Sequence, residues 1–358
     1  MTKARHIAEF ANDISVDSNR DVTLNNLRGD QHMMFRNKII NGAMQIDQRN
    51  AGSSVTPASG GYTVDRWVYE ATQSSKVACQ QVSTAPTRFV NSLKLTSQSA
   101  YTVAAGDVFQ IVQRIEGSAI SELAWGTASA STVTLSFKAY SSLTGTFSGF
   151  LRNSASDRYY VFTYSIPVAN TWTDISITIP GDTTGTWLTT NGYGLGVAWS
   201  LGCGSTYQTT AGSWGSGNNR GATGQVNLVA TNGATLYITA VQLEIGTVAT
   251  PFEHRPIGME LSLCKRYFEN LGLTYSGHWG GVKGPQMATS IYFDVEKRAT
   301  PDVDDAVTRN ADSGATATVV ASAITTRKTN YYLATVGGSN GHSVHVYATN
   351  GINVDAEL

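Results

Sequence analysis

The chain has 358 residues, of which 41% are apolar and only 14% charged, and its 25 Lys and Arg nearly balance its 26 Asp and Glu. The apolar share is enough for a sizeable core and excludes wholesale disorder. A net charge of −1 gives no long-range attraction for nucleic acid or anionic lipid. No apolar run reaches the roughly 18 residues of a membrane-spanning helix, and the opening MTKARHIAEFANDIS lacks the apolar stretch of a secretory signal.

Residues 1–36 form a leader distinct from the rest. Ile7, Phe10 and Ile14 recur at helical spacing, which predicts about three helical turns from Ala4 to Ile14. So short a segment buries little by itself. It either frays or orders by docking on a partner, with these three residues as the anchor.

From Asn37 the pattern is strands and turns. IINGAMQID is an apolar stretch opened by an Asn-Gly turn. YTVDRWVYE (62–70) and STVTLSFKAYSS (131–142) alternate as half-buried strands do, and DRYYVFTYSIPV, WTDISITIP, YGLGVAWSLG and ATLYITAVQLEIG repeat the habit between Gly, Asn, Pro and Asp punctuation. Strands at this density predict an all-β fold, a jelly-roll β-sandwich over residues 37–255. In YTVDRW the alternation turns Asp65 and Arg66 to opposite faces. One of them then lies inward and needs a partner, since a lone buried charge is costly; the pair reads as a structural lock. The Gly-rich stretch 202–225 carries Tyr207 and Trp214, aromatic groups that either cap the core or meet a ligand.

PIGMELSLCKRYFENLG (256–272) reads as the one long helix after the leader, with Pro256 at its start and Gly272 past its end. Ile257, Leu261, Cys264, Phe268 and Leu271 fall at 4-3-4-3 spacing, a seam that packs either on the chain's own sheet or on other copies. ATSIYFDVEKR, ATATVVASAIT, NYYLATV and SVHVYATN then give short strands, so that 256–358 is a connecting helix and a smaller β-rich unit. Its turns present Tyr275, His278, Trp279, Asn340 and His342 as contact candidates. The cysteines, Cys79, Cys203 and Cys264, are far apart and form no C-x-x-C, as expected of reduced, buried thiols.

No motif for covalent chemistry stands out. A P-loop, G-x-G-x-x-G and H-E-x-x-H are all missing. His342 and His345 are three apart and point to opposite faces of a strand, so they do not converge on a metal. Asp304 with Asp305, and Asp294 with Glu296, are acidic pairs of the kind a glycosidase uses, but such pairs on surface strands are ordinarily solvated. The expectation is no enzyme, no cofactor and no metal.

NKIINGAMQIDQRNAG followed by GGYTVDRWVYE, then TWTDISITIPGDTTGTW with NGYGLGVAWSLGCGSTY, then ATLYITAVQLEIGTVATPFEHRPIGMELSLCKRYFE, resemble in order the blocks of a domain found in tail-fibre and related virion proteins of tailed bacteriophages. The resemblance covers roughly residues 37–270. It implies a sandwich akin to carbohydrate-binding modules, a homotrimer, a place on the virion and attachment to a host-surface glycan or protein. A second virion protein would hold residues 1–36, and there would be no nucleic-acid partner and no membrane insertion. The rivals are a head, collar or adaptor decoration protein and, behind it, a surface-glycan depolymerase. Modules of this shape often hold calcium near the opening motif and the closing strand. The matching positions here, Gln45 and Thr239, are neutral, which argues against it.

Overall fold

The computed structural model describes residues 14–16, 22–24, 35–271, 274–278, 288–303, 309–311, 317–322, 324–336, 343–347 and 352–358. β1 (Ile14–Val16) and β2 (Val22–Leu24), both rich in β-branched residues, pair as a small antiparallel ladder. Ile14, expected to close a leader helix, is therefore a strand residue, while Ile7 and Phe10 lie outside the described residues.

The sandwich is built from β3 (Trp67–Ala71), β4 (Val77–Val82), β5 (Ser92–Ser97), β6 (Val108–Glu116), β7 (Val133–Ser141), β8 (Gly145–Asn153), β9 (Arg158–Ile166), β10 (Thr173–Ile179), β11 (Tyr193–Cys203), β12 (Gln208–Thr209), β13 (Trp214–Ser216), β14 (Gly221–Ala222) and β15 (Thr235–Ile245). One sheet has the order β10-β7-β15-β5-β4, and the facing sheet has β13-β9-β8-β11-β6-β3. Every pairing within them is antiparallel, as an all-β jelly roll requires. Between the sheets Phe137 meets Trp199 edge-on at 5.3 Å and Tyr164 at 5.1 Å, and Trp199 leans on Trp67 at 5.4 Å. These rings fill the centre of the core. Cys79, Cys203 and Cys264 are all free and buried, and burial raises the thiol pKa of Cys79 and of Cys203 to about 12.

Two local devices set the entry to the sandwich. Asn41 takes a left-handed φ of 57°, and its side chain bonds Ile46 N, Ile46 O and Asp65 O at 2.8–3.0 Å. Gly42 next to it lies so close to the Val241 carbonyl that any Cβ would overlap it. That approach falls at a bulge in β15, between Thr239 and Gln242, where Ala240 also has a left-handed φ of 57°.

The stretch 62–70 is not one strand. Tyr62 bridges to Val68, Thr63 N donates to Trp67 O at 2.8 Å, and Arg66 sits at φ 74°, so 63–66 is a tight turn and the strand begins at Trp67. Asp65 and Arg66 consequently both go inside, at 0% and 1% exposure. Asp65 accepts from Gln48 N at 2.9 Å. Arg66 pairs with Glu357, donates to Arg114 O at 2.6 Å, and lies 3.4 Å from the Tyr267 ring centroid.

The helix spans Ile257–Lys265, shorter than the sequence predicts, and β16 (Phe268–Leu271) follows it. The chain turns at Arg266 because Arg266 and the Tyr267 hydroxyl both bind Glu116 on the sandwich, at 2.8 and 2.9 Å. The strand propensity of Tyr267 and Phe268 then prevails. The five-residue seam is thus divided between a helix and a strand. Ile257 is 56% exposed, Leu261 and Leu271 are half-buried, and Cys264 and Phe268 are buried within their own chain.

Beyond it come β17 (Thr274–His278), β18 (Ala288–Tyr292), β19 (Asp302–Val303), β20 (Arg309–Ala311), β21 (Ala317–Ser322), β22 (Lys328–Val336), β23 (Ser343–Tyr347) and β24 (Ile352–Asp355). They form the sheets β16-β24-β19, β17-β23-β20 and β18-β22-β21. Lys297 and Glu269, both wholly buried, pair at 2.8 Å beneath the first of these.

Several sandwich carboxylates sit below the ordinary carboxylate range. Burial pushes Glu116 and Asp182 up, but hydrogen bonds and charge from Arg266 outweigh this for Glu116, and those from Arg158 do so for Asp182. The unfolded chain then takes up protons at a higher pH than the native one, so stability is full above the ordinary carboxylate pKa and declines as pH falls through the native values. Denaturant midpoints measured at about pH 3 should lie clearly below those at about pH 6.

Candidate functional site

The outer face of the five-stranded sheet carries three aromatic rings in one patch, called the plate below, in which they meet tilted or edge-on at 50–79°. The β7–β15 register sets Tyr140 opposite Tyr237, and the β10–β7 register, with Thr173 opposite Ala139, brings Trp172 beside Tyr140. Ring centroids are 5.0 Å apart for Tyr140–Tyr237 and 5.6 Å for Tyr140–Trp172. All three are half-buried. Among the described residues their hydroxyls and indole N–H have no hydrogen-bond partner.

Polar groups frame the plate. Lys138 and Asp174 are cross-strand neighbours and pair with each other, Lys94 lies 5.8 Å from the Tyr237 ring centroid, and Thr235 faces Thr96. Rings of this kind suit the C–H face of a pyranose, while flanking amines, carboxylates and hydroxyls suit its hydroxyls. No local motif marks these three positions in the sequence. The alternation Val133, Leu135, Phe137, Ala139 nevertheless turns Tyr140 outward.

The residues singled out from sequence have other surroundings. Trp214 belongs to β13, where it lies opposite Tyr160, packs edge-on against Trp125 at 5.2 Å and Trp187 at 5.6 Å, and donates its indole N–H to Pro180 O at 2.6 Å. It caps one edge of the core. Tyr207 ends a 3₁₀ turn on the other sheet, with the Arg220 guanidinium 5.6 Å from its ring. Tyr275 and His278, expected in a turn, fall instead on the strand β17, where backbone pairing sets them opposite Val346 and Ser343. Trp279, Asn340 and His342 lie outside the described residues, as do Asp304 and Asp305.

Asp294 and Glu296 each have a cation of their own, Lys265 and Arg327, the latter at 2.8 Å. Thr239 donates its hydroxyl to Asn91 O at 2.8 Å. Gln45 lines a cleft with Asn37, Asn41, His254, Arg255 and Glu260, where the Arg255 guanidinium already meets Glu253 at 3.4 Å and Glu260 at 3.3 Å. Among the described residues no group of three His, Cys, Asp or Glu is placed to hold a metal.

No family model and no curated protein matches the chain. Among solved structures it is similar to the enzymatically active domain of tailspike protein 4 of bacteriophage CBA120, at 14% identity and a TM-score of 0.33, over 59% of this chain and 21% of that one. It is also similar to a family 11 carbohydrate-binding module from Clostridium thermocellum in complex with a β-1,3-1,4-mixed-linked tetrasaccharide, at 12% and 0.29, over 55% and 97%. A third is a xylan-binding domain from Paenibacillus barcinonensis, at 10% and 0.26, over 55% and 97%. The chain therefore spans about a fifth of the tailspike domain. Values this low carry no conclusion about a ligand.

Trp214→Ala removes a half-buried indole from contact with two other tryptophans and should cost about 2–4 kcal/mol in urea denaturation. A loss within experimental error would show that the ring does not support the core.

Proposed function

We propose that the chain is a non-catalytic subunit of a tailed-phage virion that binds a host-surface glycan through the Tyr140–Trp172–Tyr237 plate. The observation that carries the glycan reading is the plate itself: three adjacent half-buried rings on a solvent face, their polar tips unpartnered among the described residues. The ordered sequence blocks over residues 37–270 support the virion assignment, with residues 1–36 as the attachment segment. The separate cation partners of Asp294 and Glu296 support binding without cleavage.

Trp172→Ala and Tyr237→Ala should each weaken binding to an immobilised host glycan by about tenfold or more. Neither ring belongs to the inter-sheet core, so melting temperatures should stay close to that of the parent. Unchanged glycan affinity in both variants would move the site off this face.

The same proposal makes the protein a homotrimer, a reading that rests on the sequence resemblance rather than on the divided seam. Light scattering at micromolar concentration should give roughly three times the mass of one chain. A monomer mass would remove the trimer from the proposal.

A further inference from the structure

The outer face of the six-stranded sheet has a different chemistry. Register lines its residues into three rungs. Glu70, Gln110 and Ser200 form a polar one, and Val68, Val112, Ala198, Phe150 and Val161 form an apolar one. The third holds Arg114, Gly196 and Arg152. Both arginines arch over the apolar rung to Glu70, Arg114 at 2.7 Å and Arg152 at 3.1 Å, and Gln110 donates to the same carboxylate at 2.6 Å. A Cβ at Gly196 between them would displace the Tyr193 hydroxyl, which accepts from Arg152 Nε at 3.3 Å.

Arg220 comes to this floor from the loop side. Its backbone N–H donates to Tyr207 O at 2.8 Å, its Nε donates to Asn218 Oδ1 at 3.1 Å, and its guanidinium stands by the Tyr207 ring. Burial, and then the charge of Arg152, push its pKa down. Arg114 also donates to Leu358 O. Arg114 and Arg152 use Glu70, and Arg220, half-buried, has no carboxylate in ion-pair range among the described residues. Below them Gln110 Oε1 and Arg114 Nε are buried without partners.

Most strand residues of this face are themselves buried, and we propose that its rim at Tyr207, Asn218 and Arg220 is a second ligand site, for a polysaccharide residue that carries a carboxylate, a hexuronate. A planar carboxylate matches the free fork of Arg220, which can hold it through two parallel N–H···O bonds. The Tyr207 ring and the Asn218 amide beside it suit the ring face and hydroxyls of the same sugar. Arg114 is the most exposed of the three side chains in the Glu70 cluster, at 26%, and is held on its other side by Leu358 O. A neutral sugar would leave Arg220 unmatched, and an inorganic anion would leave the ring and amides unused.

The test is calorimetric titration of the full chain with trimers of galacturonate, glucuronate and mannuronate, with their methyl esters, and with inorganic phosphate and sulfate. At least one acidic trimer should bind, its methyl ester about tenfold or more weaker, and the affinity should fall as NaCl rises from about 50 to about 500 mM. Arg220→Gln should lose that binding, and Arg220→Lys, which keeps the charge without the fork, should recover part of it; circular dichroism reports whether each variant is folded. Trp172→Ala, on the opposite sheet, should leave it unchanged, so this site stands or falls independently of the plate. Binding by none of the trimers, equal binding of the esters, full binding by folded Arg220→Gln, or competition by phosphate or sulfate at concentrations equal to the trimer's would each overturn the proposal.

Discussion

The buried turn at residues 63–66 joins three parts of the chain that are distant in sequence. Asp65 holds Gln48 of the opening segment, whose amide in turn reaches Phe268 O at 2.9 Å. Arg66 holds Glu357 of the tail and stacks on Tyr267. Arg49 repeats the connection, with Asp355 at 3.0 Å and Glu357 at 3.3 Å. Removing one member of a buried pair of this kind typically costs about 3–5 kcal/mol, because the other charge is left in a low-dielectric interior. The left-handed backbone at Arg66 adds strain of order 1 kcal/mol that these contacts must offset. Sandwich, helix and final strand are therefore fixed against one another by charge, while each sheet is held together by apolar burial.

That distinction explains what sequence could and could not show. The strands Val133–Ser141 and Thr173–Ile179 were legible because one face meets solvent, so inward and outward residues alternate. The strands Val108–Glu116 and Gly145–Asn153 are covered on both faces, lose the period of two and went unread, whereas Tyr193–Cys203, equally covered, was legible as an apolar run set off by glycines. Asp65 was legible as a residue in need of a partner. That Arg66 would join it inside depends on the left-handed turn, which no local residue announces. The helix was read through Leu271 because its apolar spacing continues, whereas the pairing of Phe268–Leu271 with Ile352–Asp355 is a contact across some 80 residues. In the C-terminal unit Ala288–Tyr292, Ala317–Ser322, Lys328–Val336 and Ser343–Tyr347 match the apolar stretches that predict them, whereas Thr274–His278, Asp302–Val303, Arg309–Ala311 and Ile352–Asp355 went unread.

The two outer faces differ for the same reason. The five-stranded sheet is open on its outer side around Tyr140, Trp172 and Tyr237, and outward positions there are free to be aromatic. The six-stranded sheet is partly roofed by Ala211 and Ala222 of the loop and by Tyr62, so its outward polar groups had to find one another, as Glu70, Arg114 and Arg152 do. Aromatics in the long Gly-rich stretch drew the eye in the sequence. There Trp214 is part of the core edge, and the solvent-facing rings occupy regular strand positions.

The three thiols give the molecule built-in reporters. Cys79 lies on a strand of one sheet, Cys203 at the end of a strand of the other, and Cys264 in the helix, each buried. With thiol pKa values of about 12 for the first two, the reactive thiolate is about one molecule in 10⁵ at neutral pH even before access is considered. Alkylation must therefore wait for each neighbourhood to open, and its rate at each sulfur reads out how often that neighbourhood comes apart in the native protein. Mass spectrometry of the unaltered chain can thus rank the local stability of both sheets and of the helix without a single engineered probe.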